Sequence, residues 1–90
     1  MLPVIRYTDV DAVVECVNVS AYGLGASVWS GGREAALAIA GRIDAGSVWV
    51  NTYFVVSPDI PFGGACQSGI GAELGEQGLV EFTQLKVLVG

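Results

Sequence analysis

Apolar positions along the chain alternate between two periods. Leu2 to Tyr7 is a short apolar run with Pro3 near its start, where a strand tolerates a missing donor, and it predicts a first strand. Thr8-Asp9-Val10-Asp11 has the form of a capping box, and Val10, Val13, Val14 and Val17 follow at the i, i+3, i+4, i+7 spacing of one helix face. Valine is a poor helix former, so tertiary packing has to hold that helix. Asn18 and Ser20 suit its end, and Tyr22-Gly23 a turn. Leu24 to Ser30 predicts a second strand, bounded by Gly23 and by Gly31-Gly32. Ala36, Ile39, Ala40 and Ile43 mark the apolar stripe of a helix over Arg33 to Asp44, with Gly46 placed as its C-cap. Ser47 to Asn51 predicts a third strand.

Strand, helix, strand, helix, strand is the order of parallel βαβ units. Residues 52–71 read as a long loop with Pro58, Pro61 and four glycines, and loops of that length are usually functional. Glu73 to Thr83 predicts a C-terminal helix interrupted by Gly75 and Gly78, and Lys86 to Val89 a terminal strand. The fold class expected is therefore α/β: a partial parallel sheet of βαβ units, a long Gly/Pro loop, a C-terminal helix and a terminal strand. Two helices do not cover both faces of a three-stranded parallel sheet, which such a sheet wants.

Composition sharpens that last point. The chain has 90 residues, 52% hydrophobic and 14% charged, where an ordinary domain has about 25% charged. So small a body has too much surface for so little charge, which implies exposed apolar patches or a partner over them. The net charge is −5, and Arg6, Arg33, Arg42 and Lys86 are scattered. That distribution gives no footprint for nucleic acid or for an anionic membrane. Met1-Leu2-Pro3-Val4 is too short for a secretory leader, and no apolar run approaches the ~20 residues of a membrane span.

The chain contains no histidine, which excludes imidazole ligands and Ser-His or Cys-His catalysis within it. Cys16 and Cys66 are too few for a disulfide scaffold and match no zinc spacing. They read as reduced and intracellular; Cys16, on the helix pattern, reads as a small buried residue, and Cys66 as a plain loop thiol with no base beside it. Asp9, Asp11 and Glu15, and Glu73, Glu76 and Glu81, flank helices and suit the helix dipole without further chemistry. Gly69-Ile70-Gly71-Ala72-Glu73-Leu74-Gly75 is one residue too long for a dinucleotide fingerprint and follows a loop, so it reads as a turn entering a helix. Phe62 is different. It is an aromatic on a proline–glycine loop, and such a residue packs in the core or forms a binding surface.

Ala45 to Asn51, Pro61 to Gly64, Ser68 to Gly71 and Glu73 to Gly75 are linked motifs that, with others across essentially the whole chain, resemble the aldehyde dehydrogenase family. Ala45-Gly46-Ser47-Val48-Trp49-Val50-Asn51 is similar to its A-G-x-V-W-V-N, and Pro61-Phe62-Gly63-Gly64, Ser68-Gly69-Ile70-Gly71 and Glu73-Leu74-Gly75 to its P-F-G-G-x-x-x-S-G-x-G-x-E-x-G. Leu2-Pro3-Val4, Tyr22-Gly23-Leu24 with Ala26-Ser27-Val28-Trp29, and Phe82-Thr83-Gln84 with Lys86 resemble further segments in order. The sequence departs from the pattern at Ala65-Cys66-Gln67, where an aromatic–lysine pair is common, and at Ala72, where arginine is frequent.

The resemblance implies a single fragment, residues 1–90, from the C-terminal part of an enzyme that oxidises aldehydes to acids with NAD or NADP. It implies that the nucleophilic cysteine, the general base and the cofactor fold precede Leu2, so that the chain carries no catalytic or cofactor-binding residue, no cofactor and no metal, and is inert alone. It carries over two substrate-pocket positions: Phe62, as an aromatic tunnel wall, and Val56, as a tunnel position that is often aromatic. It makes Asn51 a structural residue at a strand end and Leu85 to Val89 the start of an intersubunit strand. Cytoplasmic location and self-association, or association with aldehyde dehydrogenase subunits, follow from it. The alternative is a stand-alone oligomerising interaction module without catalysis.

Overall fold

The computed structural model describes all residues from Met1 to Gly90. Helix α1 spans Val10–Asn18, and the Asp9 carboxylate caps it by accepting from the Asp11 amide at 3.0 Å. Strands β1 (Tyr22–Gly23) and β2 (Gly25–Val28) follow, then α2 (Arg33–Ala40) and β3 (Ser47–Val50). The chain ends with β4 (Phe62–Gly63), β5 (Ala65–Cys66), β6 (Ala72–Glu73) and α3 (Gly75–Val80).

The α/β class holds, centred on one βαβ unit: β2 and β3 pair in parallel from Gly25↔Ser47 to Val28↔Val50, and α2 packs across both. Ala36 is the residue of α2 that this packing buries completely. Two short antiparallel pairs complete the structure, β1 with β5 and β4 with β6. Strands β4, β5 and β6 lie in the segment the sequence presents as a loop and helix entry, and β1 lies where it predicts a turn. Ladders of two residues are too short to leave an alternating pattern.

The two terminal strands expected at Leu2–Tyr7 and Lys86–Val89 do not form; residues 1–7 and 84–90 run without helix or strand. A strand exists only with a ladder partner, and neither end of the chain pairs with any of its strands. The sheet therefore has two parallel strands, not three. Helix α2 stops at Ala40 and is closed by Gly41, not Gly46: the Gly41 amide bonds to the Leu37 carbonyl at 3.0 Å, and Arg42 and Ile43 continue as a turn. Gly46 serves another purpose. A Cβ there would run into the Gly63 carbonyl, so the start of β3 can lie against β4 only as glycine.

Helix α1 is tied to the βαβ unit by polar bonds at its end. The Asn18 amide nitrogen donates to the Arg42 carbonyl at 2.8 Å, and Asn18 Oδ1 accepts from the Asp44 amide at 2.9 Å. Arg42 also pairs with Asp11 at 2.7 Å, on an exposed face. The valine stripe opens on a gap of about 360 Å³ facing Val28, Ile39 and Ile43. Val14 is buried, but Val10 and Val17 remain 38% and 44% exposed.

Burial is slight throughout: four of 90 residues are buried, two of them, Val14 and Ala36, apolar side chains. The accessible surface is 7405 Å², about 2,400 Å² more than a compact monomer of this mass presents. The radius of gyration is 16.5 Å, against about 12 Å for a compact chain of this length.

Candidate functional site

The candidate site is built on the end of β3 and the segment that returns to β4. Asn51 leaves the parallel pair with φ 52, a left-handed conformation that asparagine tolerates better than most residues. Its Oδ1 accepts from the Ser30 amide at 2.8 Å, so the carboxyl ends of β2 and β3 are stapled together. This is the structural role that its place in the sequence suggests. The chain then runs through Tyr53, Phe54, Val55 and Val56 to a proline turn, where the Ile60 amide bonds back to the Ser57 carbonyl at 3.1 Å.

Trp49 fixes the near end of this segment. Its indole Nε1 donates to the Val55 carbonyl at 3.0 Å. Around it the rings form a chain: Trp49 meets Tyr53 edge-on at 5.9 Å and Phe54 at 6.0 Å, and Phe54 meets Phe62 at 6.2 Å with planes 79° apart. Such edge-to-face pairs are favourable beyond their buried area.

Trp49, Val55, Val56, Ile60 and Phe62, with Val48, supply the apolar lining of an open concavity of about 430 Å³. Val56 and Phe62, singled out separately in the sequence, thus face one space. Phe62 is half-buried and Val56 is 42% exposed. Trp49, noted in the sequence only within a strand motif, and Phe54 are not singled out there as pocket residues. Their signal was a run of aromatics flanking the Asn51 turn, and it is the indole donor and the left-handed Phe54 (φ 54) that fold them onto Phe62.

No ionisable side chain lines this space. The nearest titratable feature is the turn at its rim, where the Ser57 hydroxyl donates to the Asp59 carboxylate. That bond, helped by the residue's own amide, lowers the Asp59 pKa below the usual carboxylate range. The concavity can hold and orient an apolar group but brings no acid, base or nucleophile to it.

The other sequence candidates lie elsewhere. Cys66 pairs through its backbone with Tyr22 and is exposed. Cys16 is also exposed, not buried as the helix pattern suggests, because nothing packs on that side of α1. No three His, Cys, Asp or Glu side chains gather as a metal site. In the glycine-rich segment the Gly69–Gly71 turn precedes a strand, where a dinucleotide cradle has its glycines between the strand and the helix. The segment runs from the Gly69–Gly71 turn through β6 before α3 begins at Gly75.

A βαβ unit with an aromatic-walled, uncharged concavity beside β3 defines an α/β protein. The chain belongs to the aldehyde dehydrogenase family, whose model matches residues 1–88. It is 45% identical to phenylacetaldehyde dehydrogenase of Pseudomonas fluorescens over 92% of this chain and 16% of that protein. It is 40% identical to aldehyde dehydrogenase 1A1 of Rattus norvegicus over 94% of this chain and 17% of that one. In structure it resembles an NAD+ complex of aldehyde dehydrogenase from Bacillus cereus, with TM-score 0.86 and 39% identity, over 91% of this chain and 17% of that one. Betaine aldehyde dehydrogenase from Staphylococcus aureus gives TM-score 0.81 and 36% identity, over 84% and 15%. The chain spans about a sixth of the length of the relatives it matches. No helix is long and apolar enough to cross a membrane.

Proposed function

We propose that the chain is the C-terminal part, residues 1–90, of a cytoplasmic NAD- or NADP-dependent aldehyde dehydrogenase, and that Val56 and Phe62 form part of its substrate tunnel. The observation that supports this is the shared pocket: the two positions carried over from the family resemblance line one apolar concavity beside Trp49. NAD or NADP, when bound by the whole enzyme, accepts the hydride from the aldehyde carbon. The residues here act before that step. Phe62, Trp49 and Val56 hold the apolar end of the aldehyde and exclude water from it. Valine at position 56 leaves room for a bulky group, and a phenylacetaldehyde-like substrate suits that width, in line with the name of one relative.

On this reading the 90-residue chain does not oxidise aldehydes by itself, since its pocket holds no nucleophile or base. The test has two arms. The purified chain is first given phenylacetaldehyde with NAD+ or NADP+, and no reduced cofactor is expected; its appearance would disprove inertness. The chain is then titrated with phenylacetone, a ketone of similar shape that donates no hydride, while NMR follows Val56 and Phe62. Shifts at both residues are expected, and their absence removes the pocket assignment.

The second reading, an interaction module, is favoured by the exposed surface. The excess of about 2,400 Å² over a compact monomer is of the size that obligate interfaces bury. It predicts self-association, or binding to full-length aldehyde dehydrogenase subunits, as the chain's activity. Sedimentation across a wide concentration range should show a stable oligomer or capture by such a subunit; a monomer indifferent to both counts against the module.

A further inference from the structure

The strand that carries Phe62 is joined to a close backbone contact at Gly75, where there is no room for a Cβ. Strand β4 carries Phe62 and pairs with β6, Phe62 opposite Glu73 and Gly63 opposite Ala72. Directly after β6, Leu74 adopts φ 64 and ψ 168, a region that is almost exclusive to glycine. Gly75 follows with φ 60. Its amide donates to the Pro58 carbonyl at 2.9 Å. A Cβ on Gly75 would stand 3.0 Å from both the ring Cδ and the nitrogen of Pro61, and 3.3 Å from the Asp59 carbonyl. Gly75 is therefore seated against the backbone of residues 58–61, the stretch that joins Val56 to Phe62. Gly78 supports the seat from behind: its amide bonds to the Leu74 carbonyl at 2.9 Å, and a Cβ on it would stand 2.6 Å from the Glu73 carbonyl carbon.

The geometry points to Gly75, presented by the strained Leu74, as the positioning residue that holds the Pro58–Pro61 turn and thereby aims Phe62 into the pocket. The inference rests on the reading of Phe62 as a pocket wall. A non-glycine in a glycine region persists only where the surroundings enforce it, and here the contacts of the next residue, Gly75, fall on the turn that leads into the wall. Trp49 pins the other end of the same segment at Val55. The pocket is thus held between an indole donor on β3 and a backbone seat ahead of α3.

Gly75→Ala and Gly69→Ala are compared in the whole 90-residue chain by NMR. Both glycines have positive φ, but Gly69 has no atom within 4 Å of its added Cβ. Both variants therefore strain the backbone, and only Gly75→Ala meets Pro61. The expected result is a shift of the Phe62 ring signals and loss of the Phe54–Phe62 cross-peak in Gly75→Ala, with both retained in Gly69→Ala. Unmoved Phe62 signals in Gly75→Ala, or equal movement in the two variants, would overturn the inference. If Gly75→Ala does not fold, the unaltered chain decides: a Gly75 Hα–Pro61 Hδ cross-peak with a slowly exchanging Gly75 amide supports the seat, and lack of the cross-peak overturns it. Titration with phenylacetone separates this from the pocket reading. A chain that shows the Gly75 effect on Phe62 but no ligand shifts keeps the positioning role and loses the substrate role.

Discussion

Asn51 is where the parallel pair hands the chain to the pocket, and its replacement tests how the two are joined. Three substitutions separate its two contributions. The hydrogen bond from the Ser30 amide to Oδ1, at 2.8 Å, is worth about 0.5–1.5 kcal/mol net. The left-handed φ of 52 costs a residue with an ordinary Cβ roughly 1–2 kcal/mol. Asn51→Asp keeps the acceptor and a side chain that tolerates this region, so stability should stay close to that of the parent. Asn51→Gly loses the bond but relieves the backbone, while glycine loosens the unfolded chain, for a net loss of about 1 kcal/mol. Asn51→Ala loses the bond and keeps the strain, for about 2 kcal/mol. Guanidinium unfolding at one fixed protomer concentration, followed by tryptophan fluorescence, measures all three. Trp49 reports the loop side of the turn through its bond to Val55. An aspartate variant as unstable as the alanine variant, or alanine no worse than glycine, would refute the argument.

Val56→Phe fills the concavity beside Phe62, so phenylacetone shifts at Phe62 should shrink in NMR titration, whereas Val56→Ala should leave them or enlarge them. Asn18→Ala removes two bonds between α1 and the Arg42–Asp44 turn and should cost about 1–3 kcal/mol. Asp11→Ala breaks only an exposed ion pair and should cost at most about 1 kcal/mol; thermal unfolding of the two variants ranks them. Ser57→Ala removes the main cause of the lowered Asp59 pKa, so the carboxyl should titrate higher, by NMR, than in the parent. Because the folded pKa is depressed, the turn's stabilisation by ionised Asp59 is present above the ordinary carboxylate pKa and fades as pH falls through the lowered one.

The parts of the fold that were legible in the sequence are those whose pattern is local and long enough. The Thr8–Asp11 capping pattern before a valine stripe announced α1, although Asp9 and not Thr8 is its N-cap, and the apolar runs on either side of the Arg33 helix announced the parallel pair. Asn51 and Phe62 were visible as misfits, a polar residue closing a strand and an aromatic among prolines and glycines. The terminal strands were misread because an apolar run specifies a strand only where a partner edge exists, and partner edges do not show in the run itself. The β4–β6 pair was hidden for the opposite reason: its ladder is two residues long and is set by contacts between distant glycines. Leu74 could not be anticipated at all. Nothing in its own chemistry favours φ 64 and ψ 168, and only the seat of Gly75 on Pro58–Pro61 imposes it.

The pocket and the core of this chain depend on different contacts. The pocket is defined by residues from Gly46 to Phe62, with a single support from Gly75. Its pins are an indole hydrogen bond, a stapled turn and a backbone seat, and none of them draws on α1 or on either end of the chain. The core, in contrast, is almost absent: the α1 stripe is half-covered, and the apolar side chains of Leu2, Val4, Leu85 and Leu88 stand in solvent. A covering partner would therefore add far more stability to the βαβ unit and α1 than to the pocket wall. The arrangement separates the two readings of the chain physically. On these readings, ligand contact at Phe62 should respond to changes at Val56, Trp49 and Gly75, and association to changes in the α1 stripe and the apolar ends. A substitution such as Val17→Asp should accordingly weaken association and leave the phenylacetone shifts at Phe62 in place.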